Sequence, residues 1–262
     1  MLSLQWLLLL GLALISLAML WLWAVQLRTR NAGTVDIAWS AGIGSLALLF
    51  AALGEGEPRR KWIVAGMTAI WSYRLAYYLL HRVTSETEDG RYQELRAQSG
   101  EGANRFFFWF FQFQAVLVLL FAIPPLVAMR TPGDGLRVWD YLGIAIWIVA
   151  IVGESIADRQ LAAFRRDPAN RGKTCRAGLW RYSRHPNYFF EFVHWFAYCA
   201  IAVGHPYGWI TLLGPALMIF FLFKVTGIPP TEARAARSRP DYAEYQRTTS
   251  MFVPWFPKEI SS

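Results

Sequence analysis

The residues best able to do chemistry lie where apolar neighbours would predict lipid. Asp36 sits in the apolar run that follows Gly33, between Val35 and Ile37. Tyr73, Tyr77 and His81 recur at i, i+4 and i+8, which places them on one helix face, with Arg74 in the same run. Glu154 and Asp158 are four residues apart, and Asn187, Glu191 and His194 follow at i, i+4 and i+7. Ionisable groups inside a membrane are expensive and face a cavity or a partner. A carboxylic acid and a phenol side by side in a dry pocket can share a proton. Together they can donate hydrogen bonds to a ketone and stabilise a developing enolate. Arg74 has two readings, neutralising nearby charge or pairing with Asp36. A second cluster is basic. Arg165, Arg166, Arg171, Lys173, Arg176, Arg181 and Arg184 fall within twenty residues and suit a ligand with several phosphates.

Each feature also has a plainer reading. A single buried acid or histidine serves as an interhelical hydrogen bond. Asp36 suits a helix N-terminus, where a carboxylate is favoured. The tyrosine stripe fits a core or an interfacial belt, and a basic loop fixes orientation and meets anionic lipid. The combination carries more weight. Acids, tyrosines, an arginine and a histidine recur on four apolar stretches, mostly toward one end, as in a polar cavity open to the cytoplasm.

Seven stretches position these groups: Leu2–Gln26, Thr34–Leu53, Lys61–Leu80, Phe106–Met129, Val138–Ala157, Tyr188–Gly204 and Tyr207–Phe223. Each approaches the roughly 20 apolar residues that cross a bilayer. The first has no basic residue before its apolar core and no clean small-residue cleavage site, so it reads as a retained helix. With the N-terminus outside, Lys and Arg divide 19 to 5 in favour of the inner segments. That bias predicts an all-α, seven-helix membrane protein with its C-terminus in the cytoplasm, spanning residues 1–262 as one domain. Three polar inner segments, 82–105, 159–187 and 228–262, face the side from which a soluble charged cofactor would come.

Composition agrees. The 262 residues are 55% hydrophobic and 16% aromatic but only 17% charged, against about 25% charged in soluble domains. Disordered chains, disulfide-stapled secreted domains and ordinary soluble enzymes are excluded. The net charge of +8 reflects inner loops rather than nucleic-acid binding. Two cysteines, one in an apolar run and one in a basic loop, predict no structural disulfide. Gly42 to Ala47 fits the dinucleotide glycine pattern but lies inside an apolar helix with no preceding strand, so that reading fails. No Walker loop, HExxH or CxxC pattern occurs, and two cysteines with four scattered histidines give no zinc site.

The most specific stretch runs from Arg176 through Trp180, Arg184, His185, Pro186, Asn187 and Tyr188 to Glu191. It resembles the C-terminal signature of membrane steroid and sterol reductases. Glu154, Asp158, Phe164 and Arg165 upstream look like the same family, as do Pro230, Glu232, Tyr242, Tyr245 and Phe252 to Pro254 downstream. Asp36 to Trp39 and Tyr73 to Arg82 resemble its bacterial branch. The chain is thus similar to bacterial relatives of steroid 5α-reductase over nearly its whole length.

That resemblance implies a seven-helix, multi-pass enzyme, in a bacterial inner membrane, that takes NADPH from the cytoplasm. A hydride passes to C5 of a 3-keto-4-ene steroid, or another enone lipid entering from the bilayer, and a proton completes C4. It implies a 3-ketone held by Asp36 and a tyrosine, Tyr73 first and Tyr77 second. The eukaryotic branch carries Glu, one methylene longer, in the acid's place. For the cofactor it implies Asn187 and Glu191 near the nicotinamide, and Asp158 with Arg165 as a nucleotide-binding pair. Lys173, Trp180, Arg184, His185, Glu232 and Tyr245 follow for adenosine and phosphates, with His81, Arg82, Glu154 and Tyr242 completing the set. No protein partner is required. Two alternatives stand beside it. An isoprenylcysteine-type methyltransferase also carries Arg-His-Pro-x-Tyr followed by Glu and binds S-adenosylmethionine there. A transporter or other non-enzymatic membrane protein would share the polar helix faces, though it would more often show repeat symmetry and broken helices.

Overall fold

The computed structural model describes residues 2–85, 88–225 and 227–258, and among these the regular structure is helical throughout. In chain order the helices are α1 (Leu4–Thr29), α2 (Thr34–Leu53), α3 (Pro58–Ser85), α4 (Gly90–Ser99) and α5 (Ala103–Met129). They continue with α6 (Val138–Arg166), α7 (Pro186–Ile201), α8 (Leu213–Phe220), α9 (Ile228–Ser238) and α10 (Tyr242–Thr248). A π-turn, Phe221–Val225, extends α8.

Among the described residues, five stretches are long and apolar enough to cross a membrane: Leu4–Thr29, Thr34–Leu53, Gly90–Met129, Val138–Arg166 and Gly208–Ser238. The protein is therefore helical and compatible with a multi-pass integral membrane protein. Two of the seven expected spans fall outside this set. The α3 helix is long, but Arg59, Arg60, Lys61, Arg74, His81 and Arg82 dilute its apolar content. The α7 helix has only 16 residues, about 24 Å at 1.5 Å per residue, short of the roughly 30 Å hydrocarbon core.

The chain divides into two compact units, Met1–Asp140 with Ile201–Leu213, and Tyr141–Ala200 with Gly214–Ser262. In the first, α2 packs along α3 and α5, and α1 along α5. The α2–α3 approach is set by small residues. A Cβ on Gly44 would lie 2.7 Å from the Ser72 hydroxyl, and the Gly44 N–H donates to that oxygen at 2.9 Å. Small residues let helix backbones close in where lipid supplies no hydrophobic drive between helices. One end of this unit is locked by a buried ion pair. Arg60 Nε donates to Asp140 at 2.9 Å, and its remaining nitrogens reach the Thr131 and Gly135 carbonyls.

The second unit is closed by its C-terminal segment. Tyr245, buried, donates through its hydroxyl to the carbonyls of Trp180 and Ser183. The Trp180 indole N–H reaches the Ala157 carbonyl of α6 at 2.9 Å. Gly178 has φ +57 and lies against the Gln160 amide, whose oxygen accepts from the Leu179 N–H. A left-handed backbone of this kind favours glycine.

Candidate functional site

In the first unit the chemistry gathers around Asp36, in the first turn of α2. Its Oδ1 accepts from the Tyr92 hydroxyl at 2.7 Å, and its Oδ2 from Arg91 Nη2 at 3.3 Å. Arg82 Nη2, from the end of α3, stands 3.9 Å from Oδ2. Asp89 caps α4 by accepting from the Arg91 N–H and also meets Arg82 at 3.2 Å and Arg91 Nε at 3.2 Å. Burial alone would raise the Asp89 carboxyl. The Arg91 amide and guanidinium outweigh it and hold the group below the ordinary aspartate range. Beside this set, Glu88 accepts from the Ala32 N–H at 2.7 Å and from Arg96 at 2.8 Å, while Arg96 lies over the Phe107 ring. Tyr92 is buried with its ring edge-on to Phe107 and Phe110.

An acid–phenol pair therefore exists at Asp36, but its phenol is Tyr92. Tyr73 shares a hydrogen bond with Ser45 at 3.0 Å, and Tyr77 is 72% exposed. The reason is geometric. The stripe Tyr73, Tyr77 and His81 is exposed along α3, while α4 folds back over the start of α2 and delivers its own tyrosine. Sequence reasoning missed Tyr92, Arg91 and Asp89. The available signal was that Tyr92 is the one aromatic residue in the polar segment 82–105.

In the second unit the expected residues separate into two groups. Arg165 and Lys173 line a cleft of about 450 Å³ together with Arg166, Arg171, Arg239 and Cys175. Ligand pockets commonly measure about 300–1,000 Å³. Burial raises the Cys175 thiol despite the opposing pull of Arg165 and Arg239. Next along α6, Asp158 Oδ1 accepts from Asn187 Nδ2 at 3.3 Å, linking α6 to α7. Glu191 is half-buried on α7 and Glu154 is buried on α6. Arg166 and Arg171, from the basic run read in the sequence, complete the lining together with Arg239, which was not among the expected residues. Arg239 arrives from the far end of α9, out of reach of any local spacing rule.

The other group is scaffold. The Arg184 guanidinium donates to Glu232 at 2.7 Å and to the carbonyls of Gln246 and Thr249, and its side chain is only 9% exposed. His185 Nε2 lies 3.2 Å from Glu232 and its ring stacks on Tyr188. Gln246 Nε2 donates to the second oxygen of Glu232. Burial, followed by the Glu232 carboxylate, pushes the Tyr242 phenol up to about 12. Trp180, Tyr242 and Tyr245 are all buried. These residues spend their polar atoms binding α9 and α10 to the segment before α7. Of the cations that the resemblance assigns to the cofactor in this unit, Arg165 and Lys173 in the basic cleft stay exposed.

Among the described residues no group of three or more His, Cys, Asp or Glu side chains is arranged to hold a metal ion. No solved structure matches the chain. A Schizosaccharomyces pombe protein named "Uncharacterized protein C594.04c" is 28% identical over 262 residues, covering 89% of this chain and 75% of the relative. The family described as "protein of unknown function (DUF1295)" matches residues 22–249, and the chain belongs to that family.

Proposed function

We propose that this protein is an NADPH-dependent membrane reductase acting on the 4,5 double bond of 3-keto-4-ene steroids or a related enone lipid. The observation that carries the reading is the basic cleft, where Arg165, Arg166, Arg171, Lys173 and Arg239 surround a volume of ligand size. Five cations around one cleft suit a ligand with a pyrophosphate and a further phosphate, and guanidinium groups bind phosphate oxygens in bidentate fashion. When bound, the dinucleotide supplies a hydride. Asp158 and Asn187, hydrogen-bonded to one another beyond the cleft, offer an acceptor and a donor for ribose and carboxamide.

In the other unit, Asp36 holds the Tyr92 hydroxyl in place, and Arg82 and Arg91 present N–H donors beside it. This set is suited to accept a ketone oxygen, disperse the negative charge of an enolate and return a proton through the phenol. Tyr92 takes the role that the resemblance assigned to Tyr73 or Tyr77. The seven-span arrangement, with an outer N-terminus and a cytoplasmic C-terminus in a bacterial inner membrane, belongs to the same proposal. It would put the basic cleft on the side where NADPH is found.

The test is NADPH oxidation by the purified full-length protein in detergent, with and without progesterone. Steroid-dependent oxidation with a 5α-reduced product by mass spectrometry supports the reading. Arg165→Ala should weaken NADPH more than NADH, and equal loss for both refutes a role at the 2′-phosphate. Binding of S-adenosylmethionine with no binding of NADPH would overturn the reductase in favour of a methyltransferase.

A further inference from the structure

Residues 251–258 run Met-Phe-Val-Pro-Trp-Phe-Pro-Lys. Their backbone is fixed in place. Arg184 N–H donates to the Ser250 carbonyl at 2.8 Å, the Ser183 hydroxyl to the Phe252 carbonyl at 2.8 Å, and the Trp255 N–H to the Tyr182 carbonyl at 2.9 Å. Lys258 N–H closes the segment on Thr248 at 2.8 Å. Pro254 and Pro257 restrict φ on either side of the Trp-Phe pair.

The side chains divide sharply. Phe252 is buried, with its ring 5.8 Å from Phe189, 5.7 Å from Phe192 and 5.2 Å from Phe223. Phe189 and Phe192 lie in the first two turns of α7. Phe223 lies in the π-turn, where the apolar run from Leu213 meets its first charge at Lys224. The segment is therefore pinned at the level where an apolar run ends. Three of its other apolar side chains are largely exposed, Val253 at 55%, Trp255 at 70% and Phe256 at 75%, with the Phe256 ring edge-on to Tyr182 at 6.1 Å. Exposed Arg181 and Arg247 adjoin Tyr182 and Thr248, the residues whose carbonyls hold the segment, and exposed Lys258 ends it. Aromatic residues at the end of a span with cations beside them match the boundary between hydrocarbon and headgroup. The excess positive charge complements anionic phospholipid.

We infer that residues 251–258 form a rigid membrane-interface anchor, with Val253, Trp255 and Phe256 inserted at the lipid headgroup boundary and Lys258, Arg181 and Arg247 on anionic headgroups. The occupant is the bilayer of the protein's own membrane, and the inference is independent of the enzyme activity proposed above.

The test places a spin label at Val253→Cys in a Cys175→Ser, Cys199→Ser background. The full-length protein is embedded in nanodiscs of phosphatidylcholine with phosphatidylglycerol. Collision rates with oxygen, which partitions into lipid, and with a water-soluble nickel chelate are compared. The reference is a label at Ala243→Cys on the exposed face of α10. A higher oxygen-to-nickel ratio at residue 253 than at residue 243 is expected. A ratio equal to that at residue 243 would place the segment in water and overturn the anchor. Exclusion of both reagents would mean a second protein copy covers the segment, and would overturn it equally. If the cysteine-free background does not fold, tryptophan quenching by lipids brominated near the carbonyls replaces it. The difference between wild type and Trp255→Phe should be quenched, and an unquenched difference refutes the inference.

Discussion

At the scale of single residues, the decisive pair is Asp36 and Tyr92. A phenol donating at 2.7 Å to a carboxylate that two guanidiniums also face is held in one orientation by three neighbours. If this pair polarises the ketone, Tyr92→Phe removes the proton donor and keeps the ring packing on Phe107 and Phe110. Steady-state kinetics should show kcat falling by about 100-fold, the low end for a lost general acid, with NADPH affinity nearly unchanged. Tyr73→Phe loses only a hydrogen bond to Ser45 and should keep its turnover. Full activity in Tyr92→Phe with loss in Tyr73→Phe or Tyr77→Phe would return the role to α3. The Asp36 position was legible in the sequence as an acid where lipid should be. Its partner was not, because a contact across 56 residues depends on how α4 folds back.

At the scale of elements, the second unit depends on how α9 and α10 are tied to the segment before α7. Arg184 and Glu232 form the buried part of that tie. Asp241, just before α10, forms the outer part, accepting from the Thr174 N–H at 3.0 Å and the Thr174 hydroxyl at 2.7 Å. Burial would raise the Asp241 carboxyl, but the Thr174 bonds and the Arg176 charge hold it below the ordinary aspartate range. A carboxyl depressed in the folded state stabilises fully above its unfolded value of about 3.9. That stabilisation is lost as pH falls through the lower, folded value. Thr174→Ala should therefore lower the melting temperature at neutral pH, by the equivalent of about 1 kcal/mol. The gap to wild type should narrow as the pH drops below 4. A gap constant with pH would show that Asp241 does not carry it. Arg176, Trp180, Arg184 and His185 stand in the sequence as one signature, with Glu232 and Tyr245 in a separate downstream segment. That they tie the unit together, while Arg165 and Lys173 line the open cleft, was not legible there, since the same arginine can meet a phosphate or a carboxylate.

At the scale of the whole molecule, span count is the open quantity that experiment can fix. Seven spans put residues 131–137 outside and 167–185 inside. Five spans with the same outer N-terminus, α3 and α7 not crossing, reverse both. Impermeant thiol reagents on intact cells should therefore label Asp134→Cys directly and Arg181→Cys only after permeabilisation. The opposite pattern would establish five.

Helical structure and long apolar stretches were legible from the residues alone. Hydrophobic runs and their lengths are local properties, and a backbone in lipid has few ways to satisfy its hydrogen bonds. The start and end of Thr34–Leu53 could be read directly from the sequence. The onset of Val138–Arg166 could be read in the same way, but not its extension past Ala157, because α6 continues as a polar helix once apolar content no longer marks it. Only the tertiary structure decided that Asp36 meets Tyr92, that Arg239 joins the cleft of Arg165 and Lys173, and that Arg184 is committed to Glu232. Those outcomes depend on which side chain the packed helices bring to a given charge. Contacts across about 50 to 75 residues are settled by packing and chain reversal, which no local spacing encodes.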